Sequence, residues 1–295
     1  MPSTRLTTAR PGTAVERRPP RIGLISFLNC RPLLWGLERS GLLAGLDLVS
    51  DSPESVGADL VAGRLDLGPI SLADYLRHTE DLLLLPGLAI AADGPVMSCN
   101  IVSRRPLEEL AAPRVGLAST SRTTVLLARF LLEERFGLAP RYFTGPPDPS
   151  ALLRGAAAAV VIGDPALRVH FEGLPDGEPS VVHDTAALWT EWTGLPMVFA
   201  VWAVRREYAE RQPQRVAAVH RALLSARDRG LAELEQVSAE AAGAFTAAQL
   251  LSYYRTLRFG LDPDGLRAIS RFGDLAARRG LVPGDWAVRR FEGER

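Results

Sequence analysis

The chain has 295 residues, 47% of them hydrophobic, with 34 Lys+Arg against 34 Asp+Glu. That length and apolar content suffice for a real core and for two lobes, and a formal net charge of zero gives no electrostatic basis for a nucleic-acid partner. Every basic residue is arginine, which excludes a Schiff-base lysine and a P-loop.

Residues 1–20 end in Glu-Arg-Arg-Pro-Pro and lack the apolar stretch of a secretory signal, so they read as a disordered tail. Ile22–Ser26 is a short buried strand that runs through a loop, Phe27–Arg31, into a helix opened by Pro32 and ended by Gly41. Leu46–Ser50 is a second strand. Ser52 then caps a helix with Pro53 in its first turn and Val56, Leu60 and Val61 as its buried stripe. Leu65–Ile70 is a third strand, Ser71 caps the helix Leu72–His78, and Leu82–Ile90 is a fourth strand. Short apolar strands alternating with amphipathic helices predict an α/β lobe with a mainly parallel sheet. No GxGxxG follows a strand, so a dinucleotide site is unsupported.

A turn at Asp93-Gly94-Pro95 introduces a change of lobe over residues 93–105. A second α/β unit follows. Its strands are predicted at Arg114–Ala118, Arg141–Thr144, Ala158–Ile162 and Met197–Val204, its helices at Val125–Phe136, Pro149–Gly155 and Asp184–Gly194. Arg205–Arg206 marks the return, and from Pro213 onward the pattern is helices and loops. The expected fold is an α/β two-lobe clamshell. Residues 21–104 and 205–295 form one lobe, residues 105–204 the other, and the ligand cleft lies between them. This arrangement resembles the type-2 periplasmic-binding-protein architecture, in which a hinge closes over a small polar ligand. No run is long enough to span a membrane.

In an open parallel sheet, ligands bind beside strand C-termini and helix N-termini. Asn29, one of only two asparagines, stands at such a handover; read alone, it is also an ordinary Asx-turn residue. The run Ser119–Thr124, STSRTT, stands between a strand and a helix, where free first-turn N–H groups and the helix dipole favour an anion. Ser121 is the cap candidate, and Thr123 and Thr124 add hydroxyl donors. Arg122 either pairs with a carboxylate or is solvated. Ser71 and Asp164 read first as helix caps and second as cleft groups. Ser98 lies at the first crossing. Trp189, Trp192 and Trp202 read as core. No histidine or carboxylate dominates these positions, no G-x-S-x-G occurs, and no Cys/His cluster has metal spacing. The two cysteines suit a reducing, cytoplasmic setting. What converges is a set of neutral donors, suited to a small dicarboxylate whose developing negative charge they would stabilise.

The runs RIGLISFLNCRPL, GRLDLGPISLADYL, SRTTVLLARFLL, VVIGDPAL and WTGLPMVFAVW resemble, in this order, the chorismate dehydratases. The resemblance spans roughly residues 21–290. It implies the clamshell fold, no cofactor, and removal of water from chorismate to give 3-(1-carboxyvinyloxy)benzoate, the first step of the futalosine route to menaquinone. It also implies that Asn29 and Ser98 are catalytic and that the hydroxyl cluster at 121–124 holds a carboxylate. The implied partner is the small dicarboxylate alone, with no nucleic acid and no membrane; oligomeric state is not set. Two other readings share the fold. One is a non-catalytic small-carboxylate binding protein. The other is 1,4-dihydroxy-6-naphthoate synthase, expected to use a histidine base, whereas none of the four histidines falls in a cleft motif.

Overall fold

The computed structural model describes residues 18–41, 45–118 and 122–293. The strands in chain order are β1 (Arg21–Ile25), β2 (Asp47–Asp51), β3 (Leu67–Ser71), β4 (Leu82–Ala92), β5 (Cys99–Ser103), β6 (Arg114–Ala118), β7 (Arg141–Gly145), β8 (Ala158–Ile162), β9 (Val181–Asp184), β10 (Met197–Arg205) and β11 (Leu257–Arg258). They form two sheets, one of six strands in the order β11-β4-β10-β3-β1-β2 and one of five in the order β7-β6-β8-β5-β9. Helices pack on both, which gives the expected two-lobe α/β clamshell.

Each sheet is mixed rather than mainly parallel. β1 runs parallel to β2 and β3, but β10 enters antiparallel between β3 and β4. In the second sheet β6 runs parallel to β7 and β8, and β5 lies antiparallel between β8 and β9. The two intruding strands are the ones that carry the chain from lobe to lobe. They also shift the lobe boundaries from those read in the sequence. β5 (99–103) belongs to the second sheet, although it falls within 21–104. β10 (197–205) belongs to the first, although most of it falls within 105–204. The crossings therefore precede these strands, over residues 93–98 and 194–196. β5 is buried along its whole length and β10 along nearly all of it, so no polar face says which sheet each joins.

The Arg31–Glu38 helix is held hard against the long Pro213–Ala232 helix. Gly36 abuts the Ala226 backbone and Gly230 abuts Pro32, and a Cβ on either glycine would overlap a carbonyl of the other helix. This contact fixes the turn that precedes the Arg31 helix. Trp189 and Trp202 are buried core, and Trp192 packs half-buried against it. The Trp189 indole N–H donates to Pro196 O at 3.1 Å and so ties down the second crossing. Of the expected tail, only residues 18–20 are described, and they pack on the fold. Residues 1–17 lie outside the described residues, but Arg18 forms a two-pronged ion pair with buried Asp66 (2.5 and 2.7 Å), and Pro20 O accepts from Asp47 N–H. A charge as buried as Asp66 requires such a partner.

Candidate functional site

Between the lobes lies a cleft of about 840 Å³, open solvent at its mouth included. The end of β1 leads into a single 3-10 turn, Leu28–Cys30, that carries Asn29 to the cleft. The Asn29 Oδ1 atom is buried and has no hydrogen-bond partner. A polar atom left bare in this way costs roughly 1–3 kcal/mol unless a ligand supplies the donor.

At the end of β3, Ser71 caps the Leu72–Arg77 helix. Its hydroxyl accepts from Asp74 N–H (3.1 Å) and donates to Asp74 Oδ2 (2.8 Å). The Asp74 carboxylate also pairs with Arg77 (3.2 Å) and, across the cleft, with Arg122 (2.6 Å). Beside it, Thr123 Oγ1 accepts from Ala73 N–H at 3.1 Å. The start of the Arg122–Phe130 helix is thus fastened to the start of the Leu72–Arg77 helix.

The first crossing supplies the third wall. Met97 has φ +62°, unusual for a residue with a side chain. The bend is held from several sides. Asp184 Oδ2 accepts N–H from Val96 (2.8 Å) and Met97 (2.6 Å), and its other oxygen accepts from Ala186 and Ala187. Asn100 Nδ2 donates to Met97 O at 2.7 Å. The outcome is a buried Ser98 whose hydroxyl accepts from Tyr253 at 3.0 Å while lining the cleft. Thr124 donates to the Cys99 sulphur at 3.4 Å. Burial pushes the Cys30 and Cys99 thiols up to about 12, so neither is a thiolate near neutrality. The remaining wall is apolar, with Ile25, Ile90 and Phe199, and Phe27 leaves its ring 42% exposed at the lining.

A family model described as menaquinone biosynthesis matches residues 20–278. A chorismate dehydratase of Thermus thermophilus is 35% identical over 270 residues, covering 86% of this chain and 94% of the relative. The chain belongs to the menaquinone-biosynthesis family. Among solved structures, the periplasmic aliphatic sulphonate binding protein SsuA of Escherichia coli superposes with a TM-score of 0.65 at 18% identity, covering 92% of this chain and 96% of that one. The alkanesulfonate-binding protein SsuA of Xanthomonas axonopodis pv. citri does so with a TM-score of 0.62 at 19% identity, covering 91% and 96%. At such identities the likeness shows the fold alone.

Of the residues singled out in the sequence, Asn29, Ser71, Ser98, Arg122 and Thr124 line the one cleft. Ser121 lies outside the described residues. Thr123 and Asp164 do not line it. The Thr123 hydroxyl accepts from Ala73 N–H and so fastens the two lobes together. Asp164 is the first residue of its helix; the capping position is Gly163, at φ +69°, with no side-chain cap. The cleft is also less neutral than expected, since Asp74 and Glu54 line it. Asp74 was legible in the spacing Ser71-x-x-Asp74, a capping box in all but the acid's length. Tyr253 and Asp184 had no local signal, because their partners lie far away in the chain. No histidine lines the cleft, and no cluster of His, Cys, Asp or Glu fit for a metal occurs among the described residues. No described helix is long and apolar enough to cross a membrane.

Proposed function

We propose that the protein is a chorismate dehydratase that converts chorismate into 3-(1-carboxyvinyloxy)benzoate without a cofactor, as the opening step of the futalosine route to menaquinone, in the cytoplasm. The observation that carries this reading is the convergence of Asn29, with its unpartnered buried amide oxygen, and the aimed hydroxyl of Ser98 on one cleft. Two free cysteines agree with a reducing compartment.

The reaction removes the ring C3 proton and the C4 hydroxyl. The C3–H pair becomes the new C3–C4 double bond, and the hydroxide leaves with a proton as water. The ring becomes aromatic, so the driving force resides in the substrate and the protein need only orient groups and stabilise charge. Charge that develops at C3 is conjugated to the ring carboxylate. That Arg122 and Thr124 line the cleft in the first turn of their helix supports a site for that carboxylate there. Asn29 can donate to one substrate oxygen through its amide nitrogen and accept from the C4 hydroxyl through its amide oxygen. The proton acceptor is the carboxylate of the substrate's own enolpyruvyl group. Of the two cleft carboxylates, Asp74 is committed to Ser71, Arg77 and Arg122. Glu54 is the other.

Incubation with chorismate, with and without EDTA, tests this reading. The expected product is lighter by one water under both conditions. Unchanged chorismate would identify a binding protein, and activity lost with EDTA and restored by metal would remove the cofactor-free mechanism. A histidine-dependent sibling activity is disfavoured because His78, His170, His183 and His220 all lie away from the cleft lining.

A further inference from the structure

Tyr253 lies on the Ala247–Thr256 helix, 155 residues from Ser98 in the chain, and its ring is 2% exposed. It does not line the cleft. Its hydroxyl donates to Ser98 Oγ at 3.0 Å. A serine hydroxyl has one proton and two lone pairs. The backbone of Ser98 is already immobilised by Asp184 and Asn100 through the Met97 bend, so the remaining freedom is the rotation of its O–H. A phenol that occupies one lone pair restricts that rotation and leaves the serine proton for another acceptor. Burial raises the phenol above its ordinary range, so Tyr253 remains a donor throughout the working pH range.

We propose that Tyr253 is a positioning residue that, by donating to Ser98 Oγ, aims the Ser98 proton at the substrate oxygen in the cleft. The inference rests on the reading of Ser98 as a substrate-facing group. It assigns a task to the C-terminal helices: the Ala247–Thr256 helix reaches from the first lobe to the crossing that bears the serine.

A double-mutant cycle with Tyr253→Phe, Ser98→Ala and the pair, measured on the full chain with chorismate, tests it. Tyr253→Phe keeps the ring and is expected to lower kcat about tenfold, the scale of one lost hydrogen bond, with KM within about twofold. In the Ser98→Ala background the same change is expected to have no further effect, since the group Tyr253 acts through is gone. A Tyr253→Phe enzyme with normal kcat beside a crippled Ser98→Ala enzyme would overturn the inference alone. So would an equal loss from Tyr253→Phe with or without Ser98, the mark of a merely structural role. A normal Ser98→Ala enzyme would overturn the reading of Ser98 and the inference with it. Should Tyr253→Phe melt markedly lower, 3-fluorotyrosine at 253 keeps the packing and alters only donor strength; an unchanged kcat would then count against the proposal.

Discussion

The two polar corners of the cleft are built in opposite ways. Ser98 is over-determined: an unusual backbone bend at Met97, a carboxylate accepting two N–H groups of that bend, an amide donating to the Met97 carbonyl and a phenol donating to the serine hydroxyl. Asn29 sits on one 3-10 turn with no side-chain cap, and its buried amide oxygen has no partner. The stiffness behind it comes from one step away, where Gly36 and Gly230 bring two helices into backbone contact. The contrast teaches a division of labour. The groups around Ser98 are consumed in fixing its geometry and leave only its hydroxyl proton for the ligand, whereas the Asn29 amide oxygen is left bare. Such preorganisation is what electrostatic stabilisation of a transition state needs.

The contrast can be broken from the ligand side first. Asn29→Ala is expected to lower kcat by roughly a hundredfold or more, the scale for a lost preorganised group, while shifting unfolding free energy by only about 1 kcal/mol. Steady-state kinetics and denaturant titration read the two together, and a large stability loss would show that Asn29 holds its loop. Asp184→Asn should have the reverse profile. The amide cannot accept all four backbone N–H groups, so about 1–3 kcal/mol of stability is lost, and kcat falls less than for Asn29→Ala. Urea unfolding checks the first half; an unchanged midpoint would mean that the Met97 bend holds itself.

Smaller effects sharpen the picture. Thr123→Val keeps the side chain's shape and strips Ala73 N–H of its acceptor, at a cost of about 1 kcal/mol with kcat close to normal. A large fall in kcat would return Thr123 to the ligand site. Glu54→Gln is expected to change kcat by less than about threefold, because removing a true general base costs on the order of a hundredfold or more. A loss of that size would make Glu54 the proton acceptor in place of the substrate carboxylate.

How much of this was legible in the sequence depends on the range over which each contact acts. Strands, helices and caps are local, and Ser52, Ser71 and the β1-to-Asn29 handover were readable from neighbouring residues. The sheet to which β5 and β10 belong was not, because strands buried on both faces carry no alternation to mark a side. The cleft assignments followed the same rule. Asn29, Ser71 and Ser98 stand at element ends and line the cleft, whereas Thr123 does not line it and accepts from Ala73 N–H, 50 residues away. Asp164 was misread because the preceding glycine, at positive φ, takes the capping position. Tyr253 reaches Ser98 across 155 residues, a pairing that only the folded chain reveals.

The central claim is that the Asn29 amide meets the substrate, and Asn29→Asp tests it most directly. The replacement keeps the size and the accepting oxygen, removes the N–H donor and places a negative charge before a dianionic substrate. Turnover of chorismate by this variant, measured beside Asn29→Ala, is predicted to be as poor as that of the alanine enzyme, with weaker chorismate binding as well. Aspartate is as good a turn residue as asparagine, so an Asn29→Asp enzyme with near-normal kcat and KM would contradict the account and leave Asn29 a loop residue only.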